Sequence, residues 1–559
     1  SLPKVTKPKD PIPYQIEDSI EGWANGIHAL MKAYFEGEAL PIFDYSSIRP
    51  KGAKLKYGGK APGHAPLKEC ITLINTILKS SINTQLRPIQ VFDMTMHIAN
   101  AVVSGGVRRS ATIGVFSIDD QEMIEAKTGE WFKENPQRGR ANISALVLPS
   151  TPKEEFEKLF ASTKQYGEPA FIFSESTEHL YNPCVEIGMC PTLIHKNNEF
   201  IEEYSLELLD PDKRKEWENQ GYKFRSGWQA CNLSTVNCSK IESEEDFYHA
   251  VSSAAFLGTL QASYTNFPFL GEISELIIRR ESLLGVSLTG ILSSPLFMNP
   301  RVLSYASKIA RFTNKIVAAT IGIKEASRVT CVKPEGTASI VLSSSAGIHP
   351  YHSSKYIRRV QADSTEPLYQ YVETMCLPAT APSIWGAVPS TRVIAFPCEA
   401  PKGALTKDDL TALQHLEIAK TVNQSWVRTG NAHPKRTEGC NHNVSITVSV
   451  LPNEWEEVRE YLWEHRDLFT GVSLLPSSGD YVYQQPPYQK IYSPSEIKED
   501  DEYRDSKLEA YTYYLHLRTL PPIDFSNVKE EEDNTDPLKI TECSGSLCEL
   551  EFPAPSKTP

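Results

Sequence analysis

Cys184 lies in the string Asn182-Pro183-Cys184-Val185-Glu186, and a second thiol follows in Cys231-Asn232-Leu233. An amide, a thiol and a carboxylate at alternate positions point the same way if the segment is extended, because strand side chains repeat every second residue. One sulfur then stands between a hydrogen-bonding group and a base. Cys231 could form a disulfide with another cysteine and so deliver two electrons. A further pair, Cys543 and Cys548, sits close to the C-terminus in Cys543-Ser544-Gly545-Ser546-Leu547-Cys548. A thiol flanked by binding groups, a reducing thiol and a mobile dithiol describe a reductive site that is recharged at each turnover.

The elements that must position these groups follow from pattern. Residues 1–13, with Pro3, Pro8, Pro11 and Pro13, read as a connector, and helical periodicity runs from Asp18 to about Phe35. Residues 49–66 carry the cationic loop signature Gly58-Gly59-Lys60-Ala61-Pro62-Gly63. A helix is predicted from Pro88 to Val103, ending at Ser104-Gly105-Gly106, and a strand from Arg109 to Ile118 with Ala111, Ile113 and Val115 on one face. Thr151-Pro152-Lys153-Glu154 predicts a capping box, and Asn453 and Ser493 predict two more helix starts. Val444, Ile446, Val448 and Val450 alternate as a strand. Strands separated by helices predict an α/β architecture with a largely parallel sheet. Residues 192–228 are polar and read as a surface insertion, and the acidic run after Val528 reads as a disordered tail. The pattern divides the chain into a connector and loop region at 1–66, an α/β body at 67–524 and a flexible tail at 525–559.

Composition narrows the class. The 559 residues are 40% hydrophobic and 23% charged, as in ordinary globular proteins. A net charge of −13 with no basic face argues against direct nucleic-acid binding. No apolar run is long enough to span a bilayer, and no membrane partner is expected. Eleven cysteines, an odd number, do not form a secreted disulfide framework, so a reducing cytoplasm is the expected compartment. A lone cysteine is usually a small buried hydrophobe, the reading given to Cys70, Cys190, Cys238, Cys331, Cys376, Cys398 and Cys440. Cys543 and Cys548 resemble half a zinc site, but no second pair lies nearby in sequence, and no metal site is expected.

The conjunction of Asn-Pro-Cys-Val-Glu, Cys-Asn-Leu and the terminal Cys-x4-Cys resembles the monomeric adenosylcobalamin-dependent (class II) ribonucleoside-triphosphate reductases. Ile16-Glu17-Asp18 with Glu21-Gly22-Trp23, Ile48-Arg49-Pro50-Lys51-Gly52, Val107-Arg108-Arg109-Ser110-Ala111 and Val332-Lys333-Pro334-Glu335-Gly336-Thr337 fall in the family's order. So do Ser345-Ala346-Gly347-Ile348-His349 and Ser473-Leu474-Leu475-Pro476.

The resemblance implies a ten-stranded α/β barrel without its N-terminal strands, adenosylcobalamin as cofactor, ribonucleoside triphosphates as substrates, and deoxynucleotides or ATP as effectors. It implies that Cys184 carries the thiyl radical, Glu186 is the base on the 3′-hydroxyl, Asn182 binds the sugar and Cys231 is half of a reducing pair. Cys543 and Cys548 would recharge that pair from thioredoxin. Lys333, Pro334, Gly336, Thr337, Ala338 and Ser339 would form the substrate-phosphate loop. Gly105, Gly106, Arg108 and Arg109 would form the specificity loop, and Gly58, Gly59 and Lys60 the effector loop. Val185 replaces the family's common glycine and is expected to be a neutral filler, while Glu335 stands where serine is frequent. The sequence shows no cobalamin signature such as Asp-x-His-x-x-Gly. The family's other reducing cysteine lies in an N-terminal region that nothing here matches, so a separate N-terminal chain is an expected partner. Two alternatives remain: a class I large subunit, suggested by Tyr513-Tyr514 near Arg518, and an inactive nucleotide-binding fragment.

Overall fold

The computed structural model describes residues 3–55, 61–103, 110–384, 390–436, 438–477, 480–481 and 484–528. Strands β1 (Lys9–Gln15) and β2 (Ala39–Asp44) pair in parallel beside helices Ile20–Phe35 and Ala65–Ser80. Val5, Ile16, Leu30, Leu67, Ile71, Ile74 and Leu78 bury one core between them. The expected connector is therefore part of a folded unit, and a boundary at 66 would cut through a helix. Pro11 and Pro13 suggested a linker, yet a strand with a single neighbour tolerates residues that donate no hydrogen bond.

The main body begins with β3 (Thr112–Ser117), β4 (Ala141–Val147) and β5 (Ala170–Phe173), parallel neighbours in that order. A short hairpin follows, β6 (Leu180–Tyr181) with β7 (Gly188–Met189). Residues of the polar segment form β8 (Thr192–Lys196), β9 (Glu199–Ile201) and β10 (Tyr222–Ser226), a small antiparallel sheet with Ile194, Tyr204 and Leu209 beneath it. Strands β11 (Asn232–Asn237) and β12 (Leu284–Thr289) are parallel. Strands β13 (Lys355–Asp363), β14 (Thr380–Pro382) and β15 (Thr391–Glu399) are antiparallel. Then come β16 (Thr447–Val450) and β17 (Gly471–Pro476), parallel to each other, and β18 (Tyr488–Lys490), which extends the β13 sheet.

Bridges join these pieces into one series. β17 runs antiparallel to β5, Val444 before β16 bridges in parallel to Val332, and Thr330 bridges in parallel to Val286 of β12. The neighbours are therefore β3, β4 and β5 in one direction, then β17, β16, the 330–332 segment, β12 and β11 in the other. Most residues of β4, β5 and β12 are buried, as expected of strands covered on both faces. Their apolar side chains pack with helices Lys153–Tyr166, Glu244–Gln261, Pro300–Ile321 and Ala412–Val422 in one large core. The α/β class is as the sequence indicated. Among the described residues these pairings run as one series from β3 to β11.

Two local expectations differ. The Pro88–Val103 helix has the predicted bounds, but the predicted capping box at Thr151 does not form. The Thr151 hydroxyl accepts instead from the Leu148 amide at 2.9 Å, and Pro152 occupies the cap. The alternation predicted for residues 444–450 is real, yet Ser445 and Thr447 are buried as well because both faces are covered.

Candidate active site

The five residues around Cys184 are not a strand. They form the turn of the β6–β7 hairpin, closed by the Val185 amide donating to the Asn182 carbonyl at 2.8 Å. Val185 takes φ +62°, the left-handed region that a β-branched residue enters only under strain. A glycine would adopt it freely, so Val185 is not the neutral filler expected. Asn182, Cys184 and Glu186 are brought together by this turn rather than by strand alternation.

The turn is held from three sides inside the strand series. Asn142 of β4 donates to the Pro183 carbonyl at 2.8 Å, Ser445 donates to the Cys184 carbonyl at 2.6 Å, and the Asn443 amide donates to the Glu186 carbonyl at 3.0 Å. The Asn443 side chain reaches β17, donating to the Gly471 carbonyl at 3.0 Å. At the hairpin base the Gly188 amide donates to His442 Nδ1 at 3.1 Å, and His442 Nε2 then donates to the Leu284 carbonyl at 2.7 Å. Burial pushes His442 down to about 3, so it is a neutral structural ring. An added Cβ on Gly188 would lie 2.1 Å from the Asn441 carbonyl oxygen, which makes glycine obligatory there.

Asn182 Oδ1 accepts from the Ile187 amide at 2.8 Å, and its side chain also hydrogen-bonds the Glu186 carboxyl. Glu186 is buried with its Oε2 unpartnered. Burial raises its pKa, opposed by the Asn182 hydrogen bond and the Lys333 charge. A buried carboxylate with a vacant oxygen is poised to take a proton from a bound hydroxyl. Cys231 precedes β11 and shares an apolar cluster with Ile187, Leu283 and Cys331. Burial and the Glu186 charge push its thiol up to about 11. It is protonated at neutral pH, as a hydrogen donor must be.

Lys333 and Glu335 stand on the loop beyond the 330–332 segment. The Lys333 ammonium lies 3.2 Å from Glu335, and its amide donates to Ser287 of β12 at 2.8 Å. Glu335 has a fully buried side chain at φ +56°, accepts from Thr235 of β11, and leaves its Oε2 unpartnered. Gly336 and Thr337 lead into the short helix Ala338–Leu342, whose first turn no side chain caps, and Ser339 donates to the Gly336 carbonyl at 3.3 Å. Pro334 lies beside Gly347, whose φ of +52° lets the 345–349 stretch cross against the Lys333 and Pro334 carbonyls. The charges of Lys333 and Glu335 act on Glu186, which places the loop near the turn. Gly58, Gly59, Lys60, Gly105, Gly106, Arg108, Arg109, Cys543 and Cys548 lie outside the described residues.

Sequence reasoning missed Asn142, Asn443, Ser445 and the buried ion network Arg280–Glu281–Arg328. The polar run Asn441-His442-Asn443 just before a buried strand was the available signal. Tyr513 and Tyr514 belong to helix Arg504–Thr519, where Tyr514 is buried against Ile357 and Ala395. Their hydroxyls donate to the Pro378 and Cys398 carbonyls at 2.8 and 3.3 Å, a packing role.

The chain resembles known proteins along most of its length. A family model described as the insertion domain of B12-dependent ribonucleotide reductase matches residues 3–78. The chain is 26% identical over 554 residues to a probable adenosylcobalamin-dependent ribonucleoside-triphosphate reductase of Dictyostelium discoideum, covering 96% of this chain and 64% of that protein. It is 25% identical to the adenosylcobalamin-dependent ribonucleoside-triphosphate reductase of Euglena gracilis, covering 86% and 61%. The chain thus spans less than two thirds of the length of these two relatives. A crystal structure of a B12-dependent (class II) ribonucleotide reductase superposes with a TM-score of 0.67 at 19% identity, covering 94% of this chain and 71% of that one, a likeness of fold.

Proposed function

We propose that this chain, a member of the B12-dependent (class II) ribonucleotide reductase family, converts ribonucleoside triphosphates to their 2′-deoxy forms. The observation that carries the reading is the convergence of Cys184, the vacant Glu186 oxygen, Asn182, Cys231 and the Lys333 loop on one turn. In this reading Cys184 as a thiyl radical takes the 3′ hydrogen, and Glu186 takes the 3′-hydroxyl proton. The 2′-hydroxyl then leaves as water, Asn182 holds the sugar, and the Lys333–Ser339 loop holds phosphate. Cys231 and a partner thiol supply two electrons and two protons and become a disulfide. Cys543 and Cys548 reduce that disulfide by exchange and are recharged by thioredoxin.

The relatives are named for adenosylcobalamin, which we take as the cofactor. Its chemistry, when bound, is the one-electron oxidation of a thiol. A cleft of about 480 Å³ lies on the Tyr181 side of the turn, lined by Phe173, Ser174, Arg428 and Asn441. Deoxynucleotide or ATP effectors are proposed at Gly58, Gly59, Lys60, Gly105, Gly106, Arg108 and Arg109, which lie outside the described residues. A separate N-terminal chain is proposed as the source of Cys231's partner thiol. In support, β11 pairs on one side only among the described residues.

The test is deoxynucleotide formation with adenosylcobalamin, a ribonucleoside triphosphate and a small dithiol, with and without an N-terminal chain from a relative. Cys184→Ser should abolish it while nucleotide binding persists; turnover by that variant would refute the radical assignment.

A further inference from the structure

We propose that His179, Cys190 and Cys440 supply three ligands of a zinc ion at the base of the β6–β7 hairpin, with water from the adjoining cleft in the fourth position. Their potential ligand atoms all lie within 4.8 Å of one another. In a tetrahedral site with Zn–S near 2.3 Å and Zn–N near 2.0 Å, donor atoms stand roughly 3.5–3.8 Å apart, so a small contraction closes the set. All three residues are at most 2% exposed.

The imidazole is oriented for this role. Ser174 donates its hydroxyl proton to the Ser176 carbonyl at 3.0 Å and lies 3.4 Å from His179 Nδ1. Its oxygen is thereby left to accept from Nδ1–H, which puts the bare lone pair on Nε2. That atom is buried and has no hydrogen-bond partner. A ring nitrogen fixed by an outer hydroxyl, with the other nitrogen vacant beside two thiols, is the arrangement that metal-ligating histidines show.

Charge and access agree. Zn²⁺ entering as two thiol protons leave keeps the net charge of the cluster unchanged. The buried Arg280–Glu281–Arg328 network, which holds the Gly188 and Cys190 carbonyls, therefore meets no added charge. The cleft beside the turn is lined by Ser174, Tyr181, Gly439 and Asn441, neighbours of all three ligands, and gives an ion a way in. His179 and Cys190 flank the hairpin, and Cys440 lies on the segment crossing it. The ion would tie the hairpin's two ends to the strand that also supplies Asn443 and Ser445.

The test is metal analysis of the full untagged chain, loading with Co²⁺, and alkylation of Cys190 and Cys440 before and after chelation. About one zinc per chain is expected, with sulfur-to-cobalt charge-transfer absorption on Co²⁺ loading and alkylation only after chelation. Cys190→Ala/Cys440→Ala should lose the metal, and Cys543→Ser/Cys548→Ser should keep it. A metal-free chain that takes up no Co²⁺, zinc retained by Cys190→Ala/Cys440→Ala, or a Cys190–Cys440 disulfide found by mass spectrometry would each overturn the proposal. Should the double alanine variant not fold, the stoichiometry, Co²⁺ spectrum and alkylation of the unaltered chain decide.

Discussion

Ser445, on the approach to β16, donates a 2.6 Å hydrogen bond to the carbonyl of Cys184, 261 residues away in sequence. The bond fixes the backbone that carries the sulfur without touching the sulfur itself. Ser445→Ala should therefore cost only about 1 kcal/mol of stability, the usual worth of one such bond. Turnover should fall roughly tenfold or more with KM nearly unchanged, because misplacement of a reacting atom acts on the chemical step. Steady-state kinetics beside a denaturant melt check this. A proportionate rise in KM with kcat intact would show that the bond positions substrate instead.

Glu186 gives a pH prediction. Burial raises its pKa, so the carboxylate that accepts a proton forms at higher pH than for a solvated glutamate. The acid limb of the rate profile should be displaced upward accordingly. Glu186→Gln should cost roughly 10²- to 10⁴-fold and flatten that limb. Stability follows the same sign. A carboxyl whose folded pKa is raised favours folding fully only below its unfolded pKa, and that contribution is lost as pH rises through the folded value. Glu186→Gln should thus be more stable than the unaltered chain at neutral pH, with the gap closing in acid. Melts that differ by the same amount at both pH values would contradict this.

Val185 and Gly471 form a coupled pair. A Cβ on Gly471 would lie 2.5 Å from Val185 Cγ1, and Val185 itself sits at φ +62°. Gly471→Ala should destabilise by about 1–3 kcal/mol through overpacking. Val185→Gly should change stability by less than about 1 kcal/mol, since relief of backbone strain offsets lost contact and the entropy of glycine. In the Val185→Gly background, Gly471→Ala should cost below about 0.5 kcal/mol, a coupling read from a double-mutant cycle. Equal costs in both backgrounds would mean that the two residues do not press on each other.

The parts of the fold that came through in the sequence are those with local causes. Helix Pro88–Val103 carries its own period and its own proline start, and Cys184 stands out by its neighbours. The turn did not come through, because alternation over five residues looks the same in a strand and in a tight turn. Only the later contacts from Asn142, Asn443 and Ser445 decide between them, and these come from β4 and the approach to β16. The β13–β15–β18 antiparallel sheet escaped for a similar reason, since β18 is three residues long and gains its identity only by pairing with β13. Residues 1–13 misled because their prolines signal a linker, whereas burial of Val5 against Thr84 and its neighbours is a tertiary fact.

The least legible feature was Glu281, which sits between two buried guanidinium groups. Arg280 Nε lies 2.6 Å from one carboxylate oxygen and Arg328 3.1 Å from the other, and all three side chains are at most 1% exposed. Arg280 also donates to the Thr192 and Cys190 carbonyls at 2.8 and 2.6 Å, and Arg328 to the Gly188 carbonyl at 3.2 Å. Removing the central charge leaves two buried cations with no counter-charge between them. Glu281→Gln should cost about 3–5 kcal/mol, the range for breaking a buried pair by one partner. Two residues before Glu281, Arg279 pairs with Glu275 at 2.7 Å at the surface, and Arg279→Gln should cost under about 1 kcal/mol. The contrast separates burial from mere pairing. Hydrogen exchange supplies the functional half of the test: amides from Gly188 to Ile194 should lose protection in Glu281→Gln beyond the fall in global stability. If those amides keep their protection, or if the variant melts within 1 kcal/mol of the unaltered chain, the triad does not anchor the hairpin that presents Cys184.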